Sequence, residues 1–346
     1  KVLYPKALAF LEDAIASGKA SLNPDYETLW REFNAQDVTA GKEVIYSIPF
    51  SEGRGRWNFT FAVKNEGATI NGYAFSRGGD AGPLPTFWFK YGANDSRRDV
   101  TCVNYSWEKN VDITPSGIAK WYFGKYRFEW MDNLPYTGGN DDGIKPVVLR
   151  YSDILLMAAE IENELNGPTS KAKDWFLQVR SRAYKGHESE AEAYVASLGS
   201  KADFFNAIVD ERALEFCGEF LRKGDLIRWN KLGESLRNVK NDLYDLREKS
   251  GAYSYLSGTL YWREGADGES VEIYGLGQNE QTAPEGDWEV INDYVKFDDS
   301  KKSDLFSGKI ENIFLNEPEQ YMFWPIFDNT VANSQGKIVN DYAYAK

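Results

Sequence analysis

Apolar residues recur at helical spacing most densely between positions 145 and 229. Tyr151, Ile154, Leu155, Ala158, Ile161 and Leu165 fall on the i, i+3, i+4, i+7 grid of one buried face, and predict a helix that begins after Pro146 and is stopped by Gly167-Pro168. Thr169 or Ser170 can cap a second helix, with the stripe Ala172, Trp175, Phe176, Val179 and Ala183 and an end at Gly186. Ser200 with Asp203 three residues on opens a third, which places Phe204, Phe205, Ile208, Val209 and Phe216 on one face before a break near Gly218. A fourth carries Leu221, Leu226, Ile227 and Trp229 and closes at about Gly233. Near the start, Leu8, Leu11 and Ile15 share a face of a helix ended by Gly18. Short-linked helix pairs of this kind predict a mainly α architecture, a tetratricopeptide-like α-α superhelix, although the spacing is too irregular to form a repeat by period.

Outside this frame the pattern changes. Val44, Tyr46 and Ile48 alternate with other residues and predict a short strand within 42–50. From 51 to 82 neither period is sustained, and Gly, Asn, Ser, Arg and aromatic residues mix in what reads as a long ordered loop region. A ring beside amide and guanidinium donors is sugar-binding chemistry: the ring covers the apolar face of a pyranose while the donors bond its hydroxyls. Trp57 with Arg54, Asn58, Tyr73 and Arg77 is the candidate cluster, set against the plainer reading that these aromatics fill a loop-rich subcore.

Residues 86–91 read as a helix and 94–99 as a turn rich in ion pairs. The stretch 100–130 carries strand-like pieces, and Trp88, Trp107, Trp121 and Trp130 read as core. The turn at 138–143 holds an acidic pair that could take calcium, but it lacks the ligand register of a known loop motif and reads as solvated. The segment 239–315 is a long insertion with Tyr253, Tyr255, Tyr261, Trp262, Tyr274 and Trp288, which either shares a ligand surface or braces it; the run at 298–304 reads as solvated loop. One unit over 1–346 is expected, with 1–40 and 145–236 as helical frame and 41–144 and 237–320 as loop-rich insertions.

Glu160, Arg180, Arg182, Glu211, Arg212, Glu215, Arg222, Asp225 and Arg228 lie on or beside the apolar stripes, where unpaired charge is costly, so pairing across the helices is expected. The functional alternative is a catalytic carboxylate pair, Glu211 with Glu215 on one helix face. A net charge of −13 and a pI near 4.8 argue against nucleic acid as partner and weigh against a highly sulfated ligand. Two cysteines far apart, Cys102 and Cys217, and the single His187 give no metal-binding spacing and no nucleophile–base pair, so no cofactor is expected. No apolar run approaches the roughly 20 residues that span a bilayer, and the first residues show no signal core, which reads as a processed or truncated chain.

Several stretches together resemble the SusD/RagB family of outer-membrane glycan-binding lipoproteins. They are Lys-Pro-Val-Val-Leu-Arg-Tyr-Ser-Asp-Ile-Leu-Leu-Met-Ala-Ala-Glu at 145–160, Val-Arg-Ser-Arg-Ala at 179–183, Asp-Glu-Arg-Ala-Leu-Glu-Phe at 210–216 and Phe-Leu-Arg-Lys-Gly-Asp-Leu-Ile-Arg-Trp at 220–229. Tyr-Met-Phe-Trp-Pro-Ile at 321–326 resembles the family's C-terminal segment, whereas Val-Asn-Asp-Tyr at 339–342 departs from it. The resemblance covers nearly all of this chain and roughly the C-terminal two-thirds of the family pattern; the N-terminal part that bears the lipidated cysteine, and contributes to the ligand site, has no counterpart here. It implies a cell-surface, lipid-anchored oligosaccharide-binding protein that serves a SusC-like TonB-dependent transporter, without catalysis, and it makes the charged motifs scaffold. A glycoside hydrolase using a Glu/Asp pair and a helical protein-interaction scaffold are the rival readings.

Overall fold

The computed structural model describes residues 2–51, 54–67, 76–109, 112–132, 142–291 and 308–340. Helix α1 (Tyr4–Ala16) carries Pro5 in its first turn and buries Leu8. Helix α2 (Tyr26–Asn34) starts where the Asp25 carboxylate accepts from the Thr28 N–H, and it buries Tyr26, Leu29, Trp30 and Phe33. Strand β1 (Val44–Ser47) follows; Tyr46 and Ile48 are exposed, so the alternation that predicts the strand does not mark a buried face.

The loop region contains short pieces: α3 (Trp57–Phe61), β2 (Asn65–Glu66), β3 (Ser76–Arg77), α4 (Pro85–Trp88) and α5 (Arg97–Thr101). Strands β4 (Cys102–Val103), β5 (Tyr105–Trp107), β6 (Ile113–Pro115) and β7 (Tyr122–Phe123) come next, and β8 (Val147–Arg150) pairs antiparallel with β1. One sheet runs β3-β2-β5-β6, with β2 parallel to β5, and β4 pairs with β7. Trp107, Trp121 and Trp130 are buried as expected, and Trp88 packs half-buried against Trp121.

The helical frame then follows as α6 (Tyr151–Asn166), α7 (Ser170–Ala183), α8 (Glu188–Ser197), α9 (Lys201–Glu215), α10 (Arg222–Arg228) and α11 (Leu232–Glu248). Helix α6 packs on α1, α7 and α9, and its stripe meets Trp175, Phe176 and Phe204 in one apolar core. Thr169 and Ser200 cap α7 and α9 by accepting from the N–H groups of Ala172 and Asp203. Two helices of this run, α8 and α11, go beyond the sequence reading. His187 precedes α8, whose weak stripe buries only Ala191 and Val195. Gly233 does not end α10 but lies in the first turn of α11, beside the flexible end of the Glu319 side chain. Beyond it, β9 (Leu260–Glu264) pairs antiparallel with both β10 (Val271–Tyr274) and β11 (Glu289–Ile291), and α12 (Gly308–Glu311) and α13 (Asp328–Asn333) complete the described elements.

A balanced charge network joins the frame to the loop region. Arg97 donates to Asp95, Glu211 and Glu215; Arg150 to Glu43, Glu215 and Glu219; Arg182 to Glu43 and Glu215; Lys125 to Glu219; and Arg180 to Glu211. Five cations thus face five anions, and all but Arg180 are sealed from solvent. Burial alone would raise the Glu215 carboxyl, but Arg182, Arg150 and Arg97 outweigh it and hold the group well below the usual carboxylate range. Arg212 makes a second set with Asp153 and Asp225, which Arg228 and Glu160 extend.

Candidate functional site

The loop 54–61 is held in place from two sides. On one side Asp142 Oδ2 accepts from the Phe59 N–H (3.1 Å) and Oδ1 from the Ile144 N–H (3.1 Å), while the Asp142 and Gly143 N–H groups donate to the carbonyls of Gly55 and Arg54. Burial pushes the Asp142 carboxyl up to about 7 despite these backbone donors. On the other side the N–H groups of Gly78, Gly79 and Asp80 donate to the carbonyls of Phe59, Ala62 and Thr60. Gly78 sits at φ +75°, and a Cβ there would come within 2.7 Å of the Ala62 and Val63 carbonyl oxygens, so this clamp requires glycine.

The clamp fixes a group of rings. Trp57, half-buried, has its ring centre 4.7 Å from Phe61, 5.7 Å from Tyr126 and 5.4 Å from Phe220. Phe220 in turn lies 4.7 Å from Phe61 and 6.3 Å from Phe123. Phe220 is 52% exposed and adopts φ +63°, a region that costs an aromatic residue strain. Its neighbour explains how it is held: Glu219 points inward to Arg150 and Lys125, so the following residue turns its ring outward. Beside this group, the Phe59 ring carries the Arg77 guanidinium at 5.0 Å and that of Arg56 at 5.8 Å.

The candidate residues separate accordingly. Trp57 and Arg77 stand on the two clamped segments, and Arg54 is exposed beside them. Asn58 is buried, its Nδ2 3.3 Å from Met131 Sδ, and faces the interior. Tyr73 and most of the turn at 138–143 lie outside the described residues, as does the run at 298–304. Phe61, Phe123, Phe220, Phe59 and Arg56 escape a reading that looks for Trp, Tyr and amides in one stretch. Gly218-Glu219-Phe220, a glycine break followed by a buried acid, is the signal in the sequence that could have exposed the last ring.

A groove of about 400 Å³ opens nearby, lined by Lys64, Gly79, Lys120, Tyr122 and Lys309 among others. The hairpin of β9 and β10 braces the loop region: Tyr105 Oη donates to the Glu269 carbonyl and Arg31 pairs with the Glu269 carboxylate. Trp288, between Arg263 and Tyr274, remains half-buried on that insertion. Glu211 and Glu215 are closed off by guanidinium groups, without the open cleft a hydrolytic carboxylate pair needs. Among the described residues no group of three or more His, Cys, Asp or Glu could hold a metal ion, and no helix is long and apolar enough to cross a membrane.

Comparison with known proteins gives the family of the chain. A SusD-like protein of Formosa agariphila is 36% identical over 172 residues, 49% of this chain and 29% of that protein, and a second from the same organism is 26% identical over 238 residues, 62% and 44%. Among solved structures, a SusD homolog from Bacteroides thetaiotaomicron superposes with a TM-score of 0.60 at 24% identity, covering 72% of this chain and 52% of that one. Surface glycan-binding protein A from Bacteroides thetaiotaomicron gives 0.54 at 18% identity, covering 99% and 60%, so the chain spans less than two thirds of the length of each of these relatives. The SusD family pattern matches residues 19–344, across both the helical frame and the clamped loops, and the chain belongs to the SusD family.

Proposed function

We propose that the protein binds an oligosaccharide at the ring group on α3 and hands it to a SusC-like TonB-dependent transporter, at the cell surface and lipid-anchored through a cysteine outside this chain. The observation that carries the reading is Phe220: a half-exposed ring in a strained backbone conformation, braced from below by Glu219 and meeting Trp57 and Phe61. Its contacts to the neighbouring rings hold Phe220 in this strained conformation while half of the ring faces solvent, which is the form of a stacking surface for pyranose rings. Trp57, with Arg54 and Arg77 as flanking donors, is the companion ring; Tyr73 belongs to the same cluster by sequence, and Asn58 supports it from within.

Two stacked rings contribute about 1–3 kcal/mol each by analogy with base stacking, and with hydroxyl hydrogen bonds this gives affinities in the high micromolar to millimolar range. No bond is broken in this account. A fluorescence titration of the chain with neutral and acidic oligosaccharides, followed by chromatography of the recovered sugar, tests it. Saturable change with intact sugar is expected. Shortened products would instead establish a glycosidase, and silence toward every sugar would leave a protein-interaction scaffold.

A further inference from the structure

Among the described residues, Arg56 is set apart from the other arginines. Those others each donate to a carboxylate, a carbonyl or another partner, as in the buried sets around Glu215 and Asp225, whereas the exposed Arg56 guanidinium meets only the Phe59 ring. A guanidinium resting on an aromatic face keeps its five N–H donors in one plane and free to point outward. Among the described residues no carboxylate pairs with it. Asp142 is engaged by the N–H groups of Phe59 and Ile144, and Glu66 by Ser76 Oγ and Lys64. Arg77 lies over the same ring and Arg54 is exposed two residues away, with Asp80 exposed on the facing segment of the clamp. A guanidinium whose donors are taken up by no carboxylate favours an anionic partner over a neutral one.

Resting on the glycan-binding reading above, we propose that the saccharide taken at α3 is acidic, and that Arg56 is the residue that receives its oxyanion, a uronate carboxylate or a sulfate. Carboxylate and sulfate share the geometry of paired oxygens that a guanidinium fork accepts. The rings of Trp57, Phe61 and Phe220 then cover the apolar faces of the sugar while Arg56 selects for charge at one end.

The test is calorimetric titration of the chain with tetragalacturonate, with its fully methyl-esterified form, and with a sulfated galactan tetrasaccharide, beside a panel of neutral oligosaccharides. Wild type, Arg56→Gln and Arg56→Lys are compared at about 0.05 M and about 0.5 M salt. One of the charged sugars is expected to bind at least about tenfold tighter than any neutral one, and which of the two binds identifies the oxyanion. Arg56→Gln should weaken that sugar about tenfold while the melting temperature stays unchanged, Arg56→Lys should restore part of the loss, and high salt should weaken wild type more than Arg56→Gln. Neutral sugars bound as tightly as charged ones, or a charged sugar indifferent to Arg56→Gln, would overturn the acidic specificity and leave glycan binding standing. No binding of any sugar would overturn both.

Discussion

Replacing Phe220 by alanine and by glycine separates its backbone from its ring. Both variants lose the contacts to Trp57, Phe61 and Phe123. For a ring that is half-exposed this is worth about 1 kcal/mol of apolar burial, plus about 0.5–1.5 kcal/mol for the edge contacts. They differ in how they tolerate φ +63°. A Cβ in that region costs about 1–2 kcal/mol, against about 0.5–1 kcal/mol for the extra chain entropy that glycine loses on folding. Phe220→Gly should therefore be more stable than Phe220→Ala by roughly 0.5–1 kcal/mol, the reverse of the order at an ordinary position. Urea unfolding is the assay, because a chain this long shifts its Tm by only about 1–2 °C per kcal/mol. Alanine equal to or more stable than glycine would refute the strained backbone, and with it the reason for reading Phe220 as a held ring. Both variants should lose sugar binding alike.

Other outcomes follow from the same geometry. Glu215→Gln leaves Arg97, Arg150 and Arg182 short of a buried partner, and urea unfolding should show a loss of about 3–5 kcal/mol. Because the folded Glu215 carboxyl titrates below its unfolded value, its contribution is complete above about pH 4.5 and erodes as the pH falls through the folded value; acid unfolding of wild type should be steeper than that of the variant. Asp142 behaves oppositely: its folded value is raised to about 7, so its contribution is complete below the unfolded value and is lost as the pH rises through about 7. Stability measured between pH 5 and pH 8 should fall in wild type by more than in Asp142→Asn. Gly78→Ala should loosen the clamp on α3, seen as faster hydrogen exchange at the Gly79 and Asp80 amides without global unfolding.

The helices α6, α7 and α9 were legible because each carries a full apolar stripe, with Thr169 and Ser200 capping the latter two, and the charges along them could be foreseen as paired because burial leaves them no other choice. Helix α11 was not, although Leu232, Val239, Leu243 and Leu246 share a face, since Gly233 in its first turn imitates a terminator. The site was legible in part. Trp57 announced itself by residue type, but Phe220 sits inside a motif read as scaffold, and its role depends on a backbone angle and on rings brought from α3 and β7. Asn58 shows the same limit, because two neighbours in a short helix point to opposite sides and only the packing of Met131 decides which faces inward.

The central claim is capture of an oligosaccharide at the rings of Trp57 and Phe220, and calorimetric titration of wild type beside Trp57→Ala tests it most directly. Saturable binding to at least one oligosaccharide, weakened at least about tenfold in Trp57→Ala with the sugar recovered unbroken, is the predicted result. Binding of equal strength in the two proteins would contradict it and move the ligand away from α3.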